Sequence, residues 1–142
     1  MKPVMQEIVD KGVGDCFSAC LASMLEVPMS IVPKFRKDNP DGDSMMGAAR
    51  NWLAEHFNLS LITVQMEDRD SDFMGTDIRI LGCAKDTPCI AGGTSPNYPD
   101  TLHAVVGVVN DLGNFTMTHD PNPTGRGIVG VPKHIYFSVS LD

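Results

Sequence analysis

The chain has no run of lysine and arginine that could collect a phosphate backbone, and its 18 acidic against 11 basic side chains leave it at −7 at neutral pH. A surface of that sign repels nucleic acid, so no nucleic-acid partner is expected. The opening residues, MKPVMQEIVDKG, lack the apolar core of a secretory signal. Nothing later approaches the roughly 20 consecutive apolar residues that a bilayer crossing demands, so no membrane partner is expected and a cytoplasmic location is. Internal repeats and low-complexity tracts are missing too. The glycines at Gly12 and Gly14 are followed by no Gly-Lys-Ser or Gly-Lys-Thr, which removes the phosphate-loop reading. Cysteine is sparse: Cys16, Cys20, Cys83 and Cys89, expected to be thiols in a reducing compartment.

What is present is an ordinary globular composition, 42% hydrophobic and 20% charged, in 142 residues, enough for one domain with its own core over residues 1–142. Phe17, Cys20, Leu21, Met24 and Leu25 recur at helical spacing after Asp15, a residue able to cap the first turn, and Pro28 closes that helix. A second helix is predicted where Met46, Ala49, Trp52, Leu53 and Phe57 share a face, with Asp43 or Ser44 as its cap. From Leu59 onward the pattern changes. LSLITVQM, PCIAGG, LHAVVGVV, NFTMTH and HIYFSVSL read as strands between turn signals, with Glu67 to Asp72 as a solvated acidic loop. Helices early and strands late predict an α+β fold, N-terminal helices packed against a C-terminal antiparallel β-sheet.

Cys16 sits where the predicted helix begins. The unpaired N–H groups of a first turn favour a thiolate, the form in which sulfur attacks, whereas Cys20, one turn further in, reads as core. A thiolate also needs a base. Of His56, His103, His119 and His134, the first reads as a surface residue of the second helix and the last as an edge residue opening the final strand. His103 opens an otherwise apolar strand. If the flanking strands form a hairpin with Val109 opposite Asn114, His103 lies opposite Asp120, whose carboxylate can then hold one ring nitrogen and aim the other. A three-residue loop would shift that register by one. By parity His119 points to the other face, with Ala104, Val106, Phe115 and Met117. An ion pair without chemistry would satisfy the same spacing.

Together, DCFSAC on a helix, His103 at a strand start and the pair Asp120-Pro121 resemble the papain-like cysteine peptidase superfamily. They are most similar to the bacterial peptidase domains that cut double-glycine leader peptides, whose pattern runs Asp-Cys-Gly-x-Ala-Cys, then His, then Asp-Pro. The resemblance implies a papain-like fold, with Cys16 as nucleophile, His103 as general base and then acid, and Asp120 orienting the imidazole. It implies that Gln6, the only glutamine upstream, would share the oxyanion with the Cys16 N–H. Phe17 stands where the family carries glycine, which is expected to narrow the cleft. Ten residues separate Gln6 from Cys16, more than is usual. The reaction implied is thiol-dependent hydrolysis of a peptide or related amide in a peptide or protein substrate, through a thioester. Compact members of the superfamily occur in bacteria and their viruses.

Three other readings stand beside it. The fold could serve as an inactive binding module, or the thioester could pass to an amine, making a transferase or deconjugating enzyme. Cys16-x3-Cys20 and Cys83-x5-Cys89 could supply zinc ligands, but those spacings are loose, so neither metal nor cofactor is expected.

Overall fold

A computed structural model of the chain describes residues 1–11, 14–66, 85–111 and 114–142. The predicted acidic loop Glu67 to Asp72, and Cys83, lie outside the described residues.

Helix α1, Cys16–Leu25, carries Phe17, Ala19, Cys20, Leu21 and Ala22 into the core. Its two buried serines are satisfied: Ser18 Oγ donates to Pro33 O at 2.6 Å, and Ser23 Oγ donates to Ala19 O at 2.8 Å while accepting from Val4 N–H at 2.9 Å. The helix stops two residues before Pro28. Glu26 turns left-handed at φ 59°, and Val27 N–H closes back on Ala22 O.

A 3-10 turn, Met29–Ile31, and the short helix α2, Phe35–Asp38, lead to helix α3, Gly42–Phe57. The cap of α3 is Asp41, not Asp43 or Ser44: its carboxylate accepts from the Ser44 N–H and hydroxyl. The expected caps fail because Asp43 and Ser44 already lie inside the first turn. Ala49 and Leu53 are the buried positions, and the Trp52 ring meets Phe35, His56 and Phe57 at centroid distances of 5.2 to 5.8 Å. His56 is therefore a surface ring on aromatic packing, as expected. Among the described residues no single helix is long and apolar enough to cross a membrane.

The strands are β1 (Leu59–Gln65), β2 (Cys89–Thr94), β3 (Leu102–Val109), β4 (Phe115–His119) and β5 (Val129–Ser140), in one antiparallel sheet ordered β1-β5-β2-β3-β4. The fold is α+β, as the sequence pattern predicts. On one face Leu61, Ile90, Ala104 and Val106 pack with α1 and α3; on the other Val64, Met66, Cys89, Val109, Ile135 and Phe137 form a second cluster. The final strand begins five residues before His134, at Val129. Pro132, which has no N–H for a ladder, lies where the β2–β5 pairing shifts register, so the irregular stretch disguises the strand's true start. His134 is consequently not at an edge. It is paired with Gln65 on one side and Gly92 on the other.

The hairpin register also departs from expectation. Val109 faces Phe115 rather than Asn114, because three residues separate Asn110 from Asn114, and a bulge at Thr118 carries the pairing to Val106 opposite His119. His119 thus shares a face with Val106 and Ala104, whereas Phe115 and Met117 go with Val109 and Gly107. A β-carbon on Gly107 would overlap the Thr116 carbonyl oxygen and the Phe115 ring. Because the first of these is backbone, it cannot turn aside. Gly107→Ala is expected to cost about 3 kcal/mol, the upper range for overpacking, read as a lowered denaturant midpoint at unchanged slope.

Candidate active site

Cys16 is the first residue of α1 and His103 the second of β3; α1 packs directly on β3, which brings the two together at the ends of their elements. His103 is buried, at 7% exposure, and its Nε2 lies 2.7 Å from Asp120 Oδ1. With Nε2 committed to the carboxylate, Nδ1 remains for the Cys16 sulfur, which acts on the ring as its second hydrogen-bond partner. Burial by itself would lower the pKa of this ring. Asp120 and Cys16, hydrogen-bonding it from two sides, outweigh burial and raise it to about 9.

Asp120 reaches the imidazole without being opposite it. It lies one residue past the end of β4, and its carboxylate is fixed by the backbone N–H groups of Asn122 (2.9 Å, on Oδ1) and Gly127 (2.7 Å, on Oδ2). Burial favours the neutral acid, but these two donors and the His103 ring hold its pKa below the usual carboxylate range. The pairing therefore survives a register that differs from the one used to predict it.

Gln6 lines the same cleft as Cys16 and His103. Its Nε2 donates one hydrogen to Ile8 O at 2.7 Å, which orients the amide; its buried Oε1 has no protein partner. The strap that carries it is tied at each step. Val4 O meets His119 Nε2 at 2.8 Å, Gln6 N–H donates to Pro121 O at 3.0 Å, and the Glu7 and Ile8 N–H groups both donate to Asp15 Oδ1, at 3.0 and 2.9 Å. Asp15 N–H returns a bond to Ile8 O at 3.2 Å. Glu7 and Ile8 are thus tied directly to the residue before Cys16.

Asp15 does not cap α1 by its side chain. Its buried carboxylate is turned away to the strap, with Oδ2 held by Lys34 Nζ at 2.8 Å, and Lys34 also binds Glu7 at 2.6 Å. A capping carboxylate would occupy the first-turn N–H groups and set a negative charge beside the sulfur. Turned outward, Asp15 leaves that positive end to Cys16.

The remaining cysteines are thiols of another kind. Cys20 is fully buried; burial, with Cys16 and Asp120 nearby, pushes its pKa well up. Burial raises Cys89 to about 12. These two lie in separate clusters on opposite faces of the sheet, so Cys20 and Cys89 cannot share one zinc site. Phe17 is buried, its ring edge-on to Tyr136 at 5.8 Å.

The cleft, about 780 Å³, extends from this centre across the helix-facing side of β2, β5 and β1, where Gly92, His134, Tyr136, Thr63 and Gln65 form its floor. Sequence reasoning missed this floor, and it missed Arg50, which stands over it. One signal was available: Arg50 falls on the α3 stripe set by Met46, Ala49 and Leu53, where a charge needs a reason. The tether between Asp15 and the strap had no comparable signal. The chain matches no model of a known protein family, no curated protein and no solved structure.

Proposed function

We propose that the protein is a thiol-dependent hydrolase of papain-like type that cleaves a peptide or related amide bond. The observation that carries this reading is the relay Asp120–His103–Cys16 at the head of α1, with the imidazole buried, opening on a cleft of about 780 Å³. The Cys16 thiol gives its proton to His103 Nδ1, and the sulfur attacks the carbonyl carbon. The oxyanion is met by the Cys16 backbone N–H and by the second hydrogen of Gln6 Nε2, the one that Ile8 does not use. The imidazolium returns its proton to the leaving amine as the C–N bond breaks, leaving a thioester. Water, deprotonated by the neutral ring, then releases the acid and restores the thiol. Asp120 keeps Nε2 protonated and the ring aligned throughout.

Iodoacetamide alkylation followed by peptide mass mapping tests the reading without knowledge of the substrate. An ordinary thiol, with a pKa near 8.5, is almost wholly protonated at about pH 6. Cys16 is expected to react there at least about tenfold faster than free cysteine, because the imidazolium stabilises its thiolate. Labelling should vanish in Cys16→Ala, fall to the free-cysteine rate or below in His103→Ala, and persist in Cys20→Ala. A Cys16 that reacts no faster than free cysteine, or whose rate ignores the loss of His103, removes the enzyme reading.

A further inference from the structure

Arg50 is half-buried in the wall of the cleft, and its side chain is fixed by neutral acceptors. Nε donates to Leu61 O at 3.3 Å and Nη2 to Thr63 Oγ1 at 2.9 Å. Among the described residues no carboxylate pairs with it. Asp43, the acidic residue on its own helix that also lines the cleft, is exposed and two turns away, about 10 Å along the axis. The charge is felt in the cleft: it lowers the pKa of the Tyr136 phenol, which burial raises.

A guanidinium has five N–H donors in a planar fork matched to a carboxylate, and two of them are used here. Tyr136, whose phenol the charge reaches, and Gln65 both lie in the floor of the same cleft. A charge kept at a half-buried place in an acidic protein, with no anion of its own, is completed by an anion that arrives.

We infer that this hollow is a subsite for a carboxylate of the bound peptide, received by the Arg50 guanidinium beside Tyr136. Thr63 lies three strands from His103 across the sheet, at least about 14 Å, the length of about four extended residues. The carboxylate is therefore several residues from the scissile bond. It is either a glutamate or aspartate side chain or the free C-terminus of the peptide. This specificity rests on the hydrolase reading for what becomes of the peptide, but binding at Arg50 does not depend on the sulfur.

The test is calorimetric binding to the Cys16→Ala protein, which separates recognition from chemistry. Three probes are compared: acetyl-Ala-Ala-Ala-Ala-Glu amide, the same peptide with Gln amide at its end, and the Gln peptide with a free C-terminal carboxylate. At least one carboxylate peptide is expected to bind about tenfold or more tightly than the neutral one. Which of the two does so identifies the source. The advantage should disappear when Arg50→Gln is added, and survive in part with Arg50→Lys, which keeps the charge without the fork. Equal affinities, no detectable binding of the carboxylate peptides at millimolar concentration, or an advantage that persists in the Arg50→Gln protein overturns the subsite. None of these results alters the alkylation test of Cys16, so the two readings fail separately. Arg50→Gln retains a donor for Thr63, and the unfolding midpoint of each variant checks that α3 stays docked on β1.

Discussion

Asp120→Asn is expected to slow acylation of Cys16 by an activated ester such as a hippuric acid nitrophenyl ester by about 10³ to 10⁴, the loss seen when a triad carboxylate becomes an amide. The carboxylate accepts three hydrogen bonds, from His103 Nε2, Asn122 N–H and Gly127 N–H. An amide has one acceptor oxygen. If that oxygen stays toward His103, the NH₂ group meets the Gly127 N–H, donor against donor; if it turns, the imidazole loses its acceptor and takes the wrong tautomer.

The pH profile separates this from simple loss of structure. The rate advantage of wild-type Cys16 over free cysteine should decline as pH rises through about 9, where the imidazolium loses its proton, and in Asp120→Asn that limb should move to lower pH. Stability follows the same shift. The folded ring holds its proton more tightly than the unfolded one, so this stabilisation is complete below about pH 6.5 and lost as pH rises through about 9. Urea midpoints on either side of that window should differ in the wild type and converge in the variant. An alkaline limb unmoved by the substitution would break the link between Asp120 and the ring.

The second large effect is expected at Asp15. Asp15→Ala removes a buried carboxylate from two backbone N–H groups and from Lys34, and breaking such an arrangement costs about 3 to 5 kcal/mol. Lys34 is about a quarter exposed and can turn to water, which places the expected loss near about 3 kcal/mol. Denaturant titration measures it. The catalytic consequence is read in Asp15→Asn, which keeps the size of the side chain. Asp15 touches no reacting atom; it acts by holding Glu7 and Ile8, and so places Gln6. Acylation should therefore slow by about 10² or more in Asp15→Asn, comparable to removal of one oxyanion donor. It should slow no further when Asp15→Asn is added to Gln6→Ala. Additive losses would show that Asp15 acts by another route.

The residues proposed to carry chemistry are more legible than the contacts that hold them. Cys16 stands out because a glycine-bounded turn and a helical period meet at that residue, both local signals. A two-residue hairpin pairs His103 with Asp120 by position. The real hairpin has a longer loop and a bulge, and the pair forms because Asp120, beyond the strand, is pinned by the turn that follows. Asp15 was read as a cap because capping is the local use of an aspartate at a helix start. Which use prevails is decided by Glu7, Ile8 and Lys34, and no periodicity reports their approach. His134 was set at a strand edge because Pro132 interrupts the pattern two residues earlier.

The strap that bears Gln6 is anchored at Pro121 and His119, more than a hundred residues away along the chain. Contacts so distant in sequence carry a large loop-closure cost and cannot form before residues 119–121 have been made. During synthesis the thiol of residue 16 emerges long before the ring and carboxylate that arm it, so a half-made chain bears only an ordinary cysteine. If the chain is the hydrolase proposed above, cutting power comes only in the last steps of maturation, which would spare the nascent chain and its neighbours from premature cleavage.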